Sequence, residues 1–356
     1  MDMKRAYYED IELFKSGTIL FWTVVLLAAL LAAPLFLSTY HVYLFNLILV
    51  HVIVAVGLNI LVGSTGQIAL GHAGFFAIGA YVTVLLMTKL QVPFFAAILA
   101  AAFITAFFGF ILGLPALRLE GPYLAIATLA FGLAIMHVIG HTDLFGGRQG
   151  LMAPAFDIGI PQLGLSWILS SETSKYYLIL IITIIMILLA INILKTRAGR
   201  AFVAIRDSDI AAEVIGINLT MYKTLAFAVS AFYAGIAGGL FAFVLGFFDP
   251  FTFNLILSII FLVMVVVGGL GSVMGSISGA VLITYLWYDL FKNVDEVPIV
   301  GDLMVAFARQ FLTVTGMDNF NFIALGLVMI GIIIFEPLGM FGAWIRVKKY
   351  WKTWPF

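Results

Sequence analysis

Apolar stretches about one membrane thickness long, joined by short polar or glycine-rich segments, repeat along almost the whole chain. A helix of roughly 20 apolar residues crosses the hydrocarbon core of a bilayer. Residues 18–37, 41–62, 72–88, 93–114, 123–140, 177–194, 223–247, 253–270, 276–291 and 319–336 are the predicted spans. The runs at 72–88 and 276–291 are short, as expected of a broken membrane helix. The pattern predicts an all-α fold, a polytopic membrane helix bundle of about ten transmembrane helices with broken or re-entrant segments. The first run, Thr18 to Leu37, is too long for the core of a signal peptide and lacks a small-residue cleavage site, so it reads as the first span.

Lysine and arginine set the orientation. The loop from Lys195 to Lys223 carries Lys195, Arg197, Arg200, Arg206 and Lys223, and the tail after Glu336 carries Arg346, Lys348, Lys349 and Lys352. Both are expected on the cytoplasmic side. The 141–176 loop has only Arg148 and Lys175, and the 292–318 loop only Lys292 and Arg309 beside four acids, so both read as external. Ten spans with N- and C-termini cytoplasmic satisfy all four assignments. Trp344, Tyr350, Trp351 and Trp354 fit an interfacial aromatic belt.

Composition agrees with the spans: 63% of the 356 residues are hydrophobic and 10% charged, which excludes a soluble globular domain. The absence of cysteine excludes disulfide and thiolate chemistry. A net charge of zero with no large basic patch speaks against a nucleic-acid partner.

Two polar features stand out. Within Lys195–Lys223, Ile210, Val214 and Ile217 fall at i, i+4, i+7, with Ala211 and Ile215 beside them, among Asp207, Asp209 and Glu213. This predicts a short amphipathic helix on the cytoplasmic face, a docking surface for a soluble partner. The other is GLNILVGSTGQIALGHAGFFAIGAY at 57–81, which mixes five internal glycines (63, 66, 71, 74 and 79) with Asn59, Ser64, Thr65, Gln67 and His72 at membrane depth. Irregular backbone is tolerated there only where protein or a water-filled cavity covers it. It is expected to line a solute path, with helix N-termini turned toward an anionic group. The competing reading is close helix packing through small residues.

Other features carry less chemistry. GGLGSVMGSISG at 268–279 lacks the lysine of a phosphate loop and joins two apolar runs, so it reads as a tight turn between membrane helices. No ATP-binding motif of that kind occurs in the chain. His137 and His141 share a helix face near Asp143, but with no third ligand at firm spacing no metal site is expected, and no cofactor. Asp249 and Asp289 sit near span ends, leaving no carboxylate placed at mid-membrane. That disfavours a proton- or sodium-coupled secondary carrier. The missing GxSxG and metal sets disfavour a membrane enzyme.

Several blocks together resemble a known family. They are 57–81, GPYLAIATLAFG at 121–132, LFGGRQGL at 144–151, TRAGRAFVAIRDSDIAAEVIGINLTMYKTLAFAVSAFYAGIAGG at 196–239, DPFTFNLILSIIFLVMVVVGGLGSVMGSISGA at 249–280 and FEPLGMFG at 335–342. In order and spacing the chain resembles the integral-membrane permease subunits of branched-chain amino-acid ABC importers, on the LivM side of the LivH/LivM family. The resemblance implies a single transmembrane permease domain over 1–356, with the cytoplasmic coupling loop at 195–223. It implies that Arg206, Asp209, Ile210, Ala211, Ala212, Val214, Gly216 and Ile217 form the ATPase coupling region, Ala211, Ala212 and Gly216 matching an alanine pair, three residues and a glycine. Ile210 stands where an acid is often found before the alanines, and Leu133 where LivM-like sequences often have an acid after AFG. The implied partners are a second homologous permease subunit, two cytoplasmic ATP-binding subunits and an extracytoplasmic solute-binding protein, in the inner-membrane lipid bilayer. The closest alternative is the permease of a urea or short-amide importer.

Overall fold

The structure is a computed structural model that describes residues 17–116, 119, 121–157, 168–169, 171–290, 326–327, 329–332, 334–336 and 338–353. Helices account for nearly all of it. In chain order they are α1 (Gly17–Phe36), α2 (Thr39–Thr65), α3 (His72–Leu90), α4 (Phe94–Ala116), α5 (Pro122–His141), α6 (Glu172–Lys195), α7 (Arg197–Asp207), α8 (Asp209–Val214), α9 (Leu219–Leu245), α10 (Leu255–Gly268), α11 (Val273–Tyr285) and α12 (Gly339–Thr353). Six of them, α2 to α6 and α9, are long and apolar enough to cross a membrane, and shorter apolar helices cover Leu20–Phe36 and Leu255–Gly268. The chain is thus an all-α, multi-pass membrane protein. The predicted spans up to 276–291 each fall on one of these helices, α11 being extended by a wide turn over Leu286–Leu290. The predicted span at 319–336 lies mostly outside the described residues.

α2 and α9 form the centre. Each has 27 residues, about 40 Å at 1.5 Å per residue. From Asn46 to Thr65 every residue of α2 is buried, which is why this helix is apolar on all faces. α9 packs between α2, α3 and α4. Small residues set the spacing. A Cβ at Gly79 of α3 would stand 2.3 Å from the Gly235 carbonyl oxygen of α9, and one at Gly238 would stand 2.0 Å from that of Phe76. The backbones touch there, the kind of contact that stabilises helices in lipid, where apolar burial alone does not. Tyrosines tie the periphery down: Tyr233 Oη donates to the Met186 carbonyl at 2.9 Å, and Tyr176 Oη to that of Leu30 at 2.9 Å. α1, α4 and α6 expose large apolar side chains such as Trp22, Phe107 and Ile181 along their outer faces.

The bundle has two distinct ends. At one, β1 (Leu151–Met152) pairs antiparallel with β2 (Phe247–Phe248), in register Leu151↔Phe248. Asp249 caps the turn of 3-10 helix at Pro250–Phe253 there, accepting from the Thr252 amide at 2.8 Å. Asp289 accepts from Tyr40 Oη at 3.1 Å at the same end. The opposite end carries α7, α8, the C-terminus of α2, the α10–α11 turn and the start of α12, whose Gly339 abuts Val267 and Gly269.

Candidate functional site

α2 stops at Thr65, where Gly66 takes a left-handed conformation (φ +72°) and its amide turns back to the Val62 carbonyl. Six residues of non-helical chain follow before α3 starts at His72. That start is deep in the bundle. His72 Nε2 lies 2.7 Å from Ser230 Oγ, eleven residues or about 17 Å along α9 from Leu219. The chain therefore turns back from one end of the bundle into its middle and begins a new helix there. Backbone groups at this depth need partners, and side chains from two other helices supply them. The Leu70 amide donates to Thr128 Oγ1 of α5 at 2.9 Å, and the Ala73 amide to Ser258 Oγ of α10 at 2.9 Å. Gly71 is required by closeness, since a Cβ there would stand 1.9 Å from the Thr128 carbonyl oxygen.

The five predicted path residues divide between two places. Gln67 and His72 lie at the break. Gln67 is 5% exposed, and its Nε2 donates to Thr65 Oγ1 at 3.1 Å. Its Oε1 and His72 Nδ1 are buried with no hydrogen-bond partner among the described residues. Asn59, Ser64 and Thr65 lie instead on the unbroken last turns of α2. Thr65 Oγ1 donates back to the Leu61 carbonyl, and Asn59 Oδ1 accepts from the Gly271 amide at 2.9 Å in the α10–α11 turn. The glycines at 57, 63, 74 and 79 are helical, so the motif holds one break rather than several. Its other glycines give room to neighbours: a Cβ at Gly63 would stand 2.3 Å from the Gly271 nitrogen. The stretch at 268–279 is the expected helix–turn–helix, and its turn packs on the end of α2.

Beside the break, Leu70, Ala73, Gly132, Leu133, Asn254 and Ser258 line a cavity of about 10 Å3, room for a single water-sized sphere. Thr128, Ser230 and Ser258, which hold the break, escaped sequence reasoning. An isolated hydroxyl in an apolar run reads the same whether it reaches across helices or back to its own turn, as Thr83 does to the Gly79 carbonyl at 2.7 Å. His137 and His141 stack with ring centroids 4.1 Å apart, on an exposed helix end.

The Lys195–Lys223 loop contains two helices. α7 buries Ala201, Phe202 and Ile205 against the bundle. α8 is capped by Ser208, whose Oγ accepts from the Ala211 amide at 3.2 Å. It ends in a Schellman turn: Gly216 has φ +88°, its amide donates to the Glu213 carbonyl at 2.9 Å, and the Ile217 amide to that of Ala212 at 3.0 Å. Ile210, Val214 and Ile215 are 78%, 82% and 72% exposed. The expected stripe of Ile210, Val214 and Ile217 is corrected at its last member, because the turn at Gly216 ends the helix and leaves Ile217 half-buried. Ala212 is 1% exposed and packs inward, so of the alanine pair only Ala211 faces out. Asp209 holds the loop to α9 through an ion pair with Lys223 at 2.5 Å. Arg206 turns inward, donating from Nη1 to the Gly63 carbonyl at 3.1 Å. A groove of about 490 Å3, lined by Glu213, Gly216, Ile217, Asn218, Leu219, Thr220 and Lys223, opens beside the exposed apolar group. Each aliphatic side chain of that group gains about 1.5–3 kcal/mol on full burial.

Residues 40–335 match the family described as branched-chain amino acid transport system / permease component. The chain is 33% identical to the high-affinity branched-chain amino acid transport system permease protein LivM of Salmonella typhimurium, over 79% of this chain and 71% of that one. It is equally similar to LivM of Escherichia coli, 33% identical over the same shares. It is 27% identical to the probable branched-chain amino acid transport permease protein LivH of Methanocaldococcus jannaschii, over 65% of this chain and 67% of that one. No solved structure matches. A family match over most of the chain, on a multi-pass helix bundle, leads to one conclusion: the chain belongs to the family of branched-chain amino acid transport permease components.

Proposed function

We propose that this chain is the membrane-spanning permease subunit of an ATP-binding-cassette importer that moves branched-chain amino acids across the cytoplasmic membrane. The observation that carries the proposal is the family likeness across 40–335. The chain works with a second, homologous permease subunit, as the likeness to both LivM and LivH proteins supports. Two cytoplasmic ATP-binding subunits drive it, and an extracytoplasmic solute-binding protein loads it. The whole chain is one permease domain of about ten spans with both termini cytoplasmic. The chain is a transport subunit, with ATP hydrolysis on the partners.

The geometry supports this division of labour. The ATP-binding subunits take α8 in their groove, Ile210, Val214 and Ile215 forming the contact and Ala211 and Gly216 flanking it. The solute passes the break between α2 and α3. A cavity of about 10 Å3 does not hold an amino acid, so the path is completed between this chain and the second permease. The outer face of α5, with exposed Tyr123, Ile126 and Val138, is where that subunit sits. An apolar solute side chain meets Leu70 and Leu133 there, and its carboxylate meets the N-terminal end of α3.

The substrate class is tested by competition in cells that carry the whole importer. Leucine uptake is expected to fall with excess isoleucine or valine and to ignore urea and acetamide. Competition by the amides alone would make the chain a urea or short-amide permease. Gln67→Leu tests the path. Gln67 Oε1 has no partner among the described residues, and Thr65 Oγ1, which loses the Gln67 Nε2 donor, still donates to the Leu61 carbonyl, so folding should change by no more than about 1 kcal/mol. Uptake should nevertheless drop several-fold at normal expression. Lost expression with normal specific uptake would make Gln67 a structural residue only.

A further inference from the structure

The side chain of Arg206 meets both glycine-rich stretches at once. It stands in the last turn of α7, on the loop outside the bundle, yet its stem crosses Gly66, where a Cβ would lie 3.4 Å from Arg206 Cγ. Its Nη1 donates to the carbonyl of Gly63 at 3.1 Å. That carbonyl belongs to the last turn of α2, where helix carbonyls lack intrahelical partners and a cation is favoured. The same Nη1 would be 2.8 Å from a Cβ on Gly271, so the guanidinium rests against the α10–α11 turn. The Gly271 amide in turn donates to Asn59 Oδ1 of α2 at 2.9 Å. Nε and Nη2 are held by Asp207 Oδ1 at 3.3 and 3.2 Å, which fixes the plane of the fork. The end of α2, the entry to its break and the α10–α11 turn therefore share one cation, and that cation rides on α7, which leads directly into α8.

We infer that Arg206 is a positioning residue that transmits movement of the α7–α8 loop to the two interruptions in the bundle, rather than a contact for the ATP-binding subunits. Displacing α8 by one residue's rise drags α7 with it, and the guanidinium cannot follow without releasing Gly63 or moving the end of α2. The planar fork matters: lysine supplies the charge but cannot bond Gly63 and Asp207 with fixed geometry. Glycine at 271 matters twice: its φ of +79° strains any other residue, and a Cβ there takes the space of Nη1. The inference rests on the ATP-driven reading for its purpose, but its contacts can be tested without it.

The chain has no cysteine, so single cysteines label cleanly. Gln67→Cys, at a buried position just past the end of α2, should react slowly with a small polar thiol reagent in the purified chain. In the Arg206→Gln background the rate should rise several-fold, in Arg206→Lys by less, and Gly271→Ala should reproduce the Arg206→Gln rate. In the assembled importer, Arg206→Gln should still co-purify with the ATP-binding subunits while uptake falls on the order of tenfold, within the usual range of coupling between sites. Unchanged labelling in Arg206→Gln and Gly271→Ala overturns the inference, whatever the transport assay gives. So does loss of the ATP-binding subunits from Arg206→Gln, which would make the residue a docking contact. A wild-type importer with no ATP-driven uptake would refute the transport reading and leave the labelling result standing.

Discussion

Val214→Asp is expected to abolish ATP-driven uptake while the protein still inserts and folds. Val214 is 82% exposed, so the fold loses almost nothing with it, and surface changes of this kind stay within about 0.5 kcal/mol. The cost falls on the complex. Val214 belongs to the apolar group with Ile210 and Ile215, and a carboxylate buried without a partner in an apolar contact costs several kcal/mol. About 4 kcal/mol weakens docking roughly 1000-fold, enough to empty the complex at working concentrations. Co-purification of the ATP-binding subunits and uptake should fall together, with the thermal midpoint of the isolated permease unchanged. Wild-type co-purification would remove α8 from the interface.

Gly71→Val is expected to act in the opposite way, on the fold before the function. Its Cβ would stand 1.9 Å from the Thr128 oxygen and 2.7 Å from the Thr128 carbonyl carbon, and backbone atoms cannot rotate aside. α3 would have to move away from α5, which loosens the Leu70–Thr128, Ala73–Ser258 and His72–Ser230 hydrogen bonds. Overpacking costs typically 1–3 kcal/mol, and each buried amide left unpaired another 1–3 kcal/mol. The expected result is a loss of most folded protein in detergent and a lowered thermal midpoint. Gly216→Ala is the matched control. No heavy atom lies within 4 Å of a Cβ there, so only the strain of φ +88° remains, about 1–2 kcal/mol in a surface turn. Equal damage from both substitutions would contradict the close approach at Gly71.

The spans were legible because a bilayer imposes one length on every crossing helix, and a run such as 41–62 admits no other reading. Their ends were less so. α6 starts at Glu172 rather than 177 because Ser171 caps a polar first turn, in which Lys175 pairs with Glu172 at 2.8 Å. Glycine is the usual residue just past a helix end, and Gly216 ends α8 before Ile217 can join the stripe. The position of the break at Gly66–Gly71 was readable from glycine beside polar residues. What holds it was not. The partners of the break lie on α5, α9 and α10, and their hydroxyls look like any other in a membrane helix. Asn59 shows the same limit: the amide that its Oδ1 accepts from, at Gly271, is 212 residues away.

The most direct measurement is uptake of labelled leucine into proteoliposomes that contain either this chain alone or the chain with the second permease, the ATP-binding subunits and the loaded solute-binding protein. The chain contains no phosphate-loop motif and leaves Ile210, Val214 and Ile215 of the α8 segment exposed. The expected result is concentrative uptake by the full assembly that stops when ATP is omitted, and none by the chain alone. Concentrative uptake by the chain alone, or uptake by the assembly that is indifferent to ATP, would contradict it.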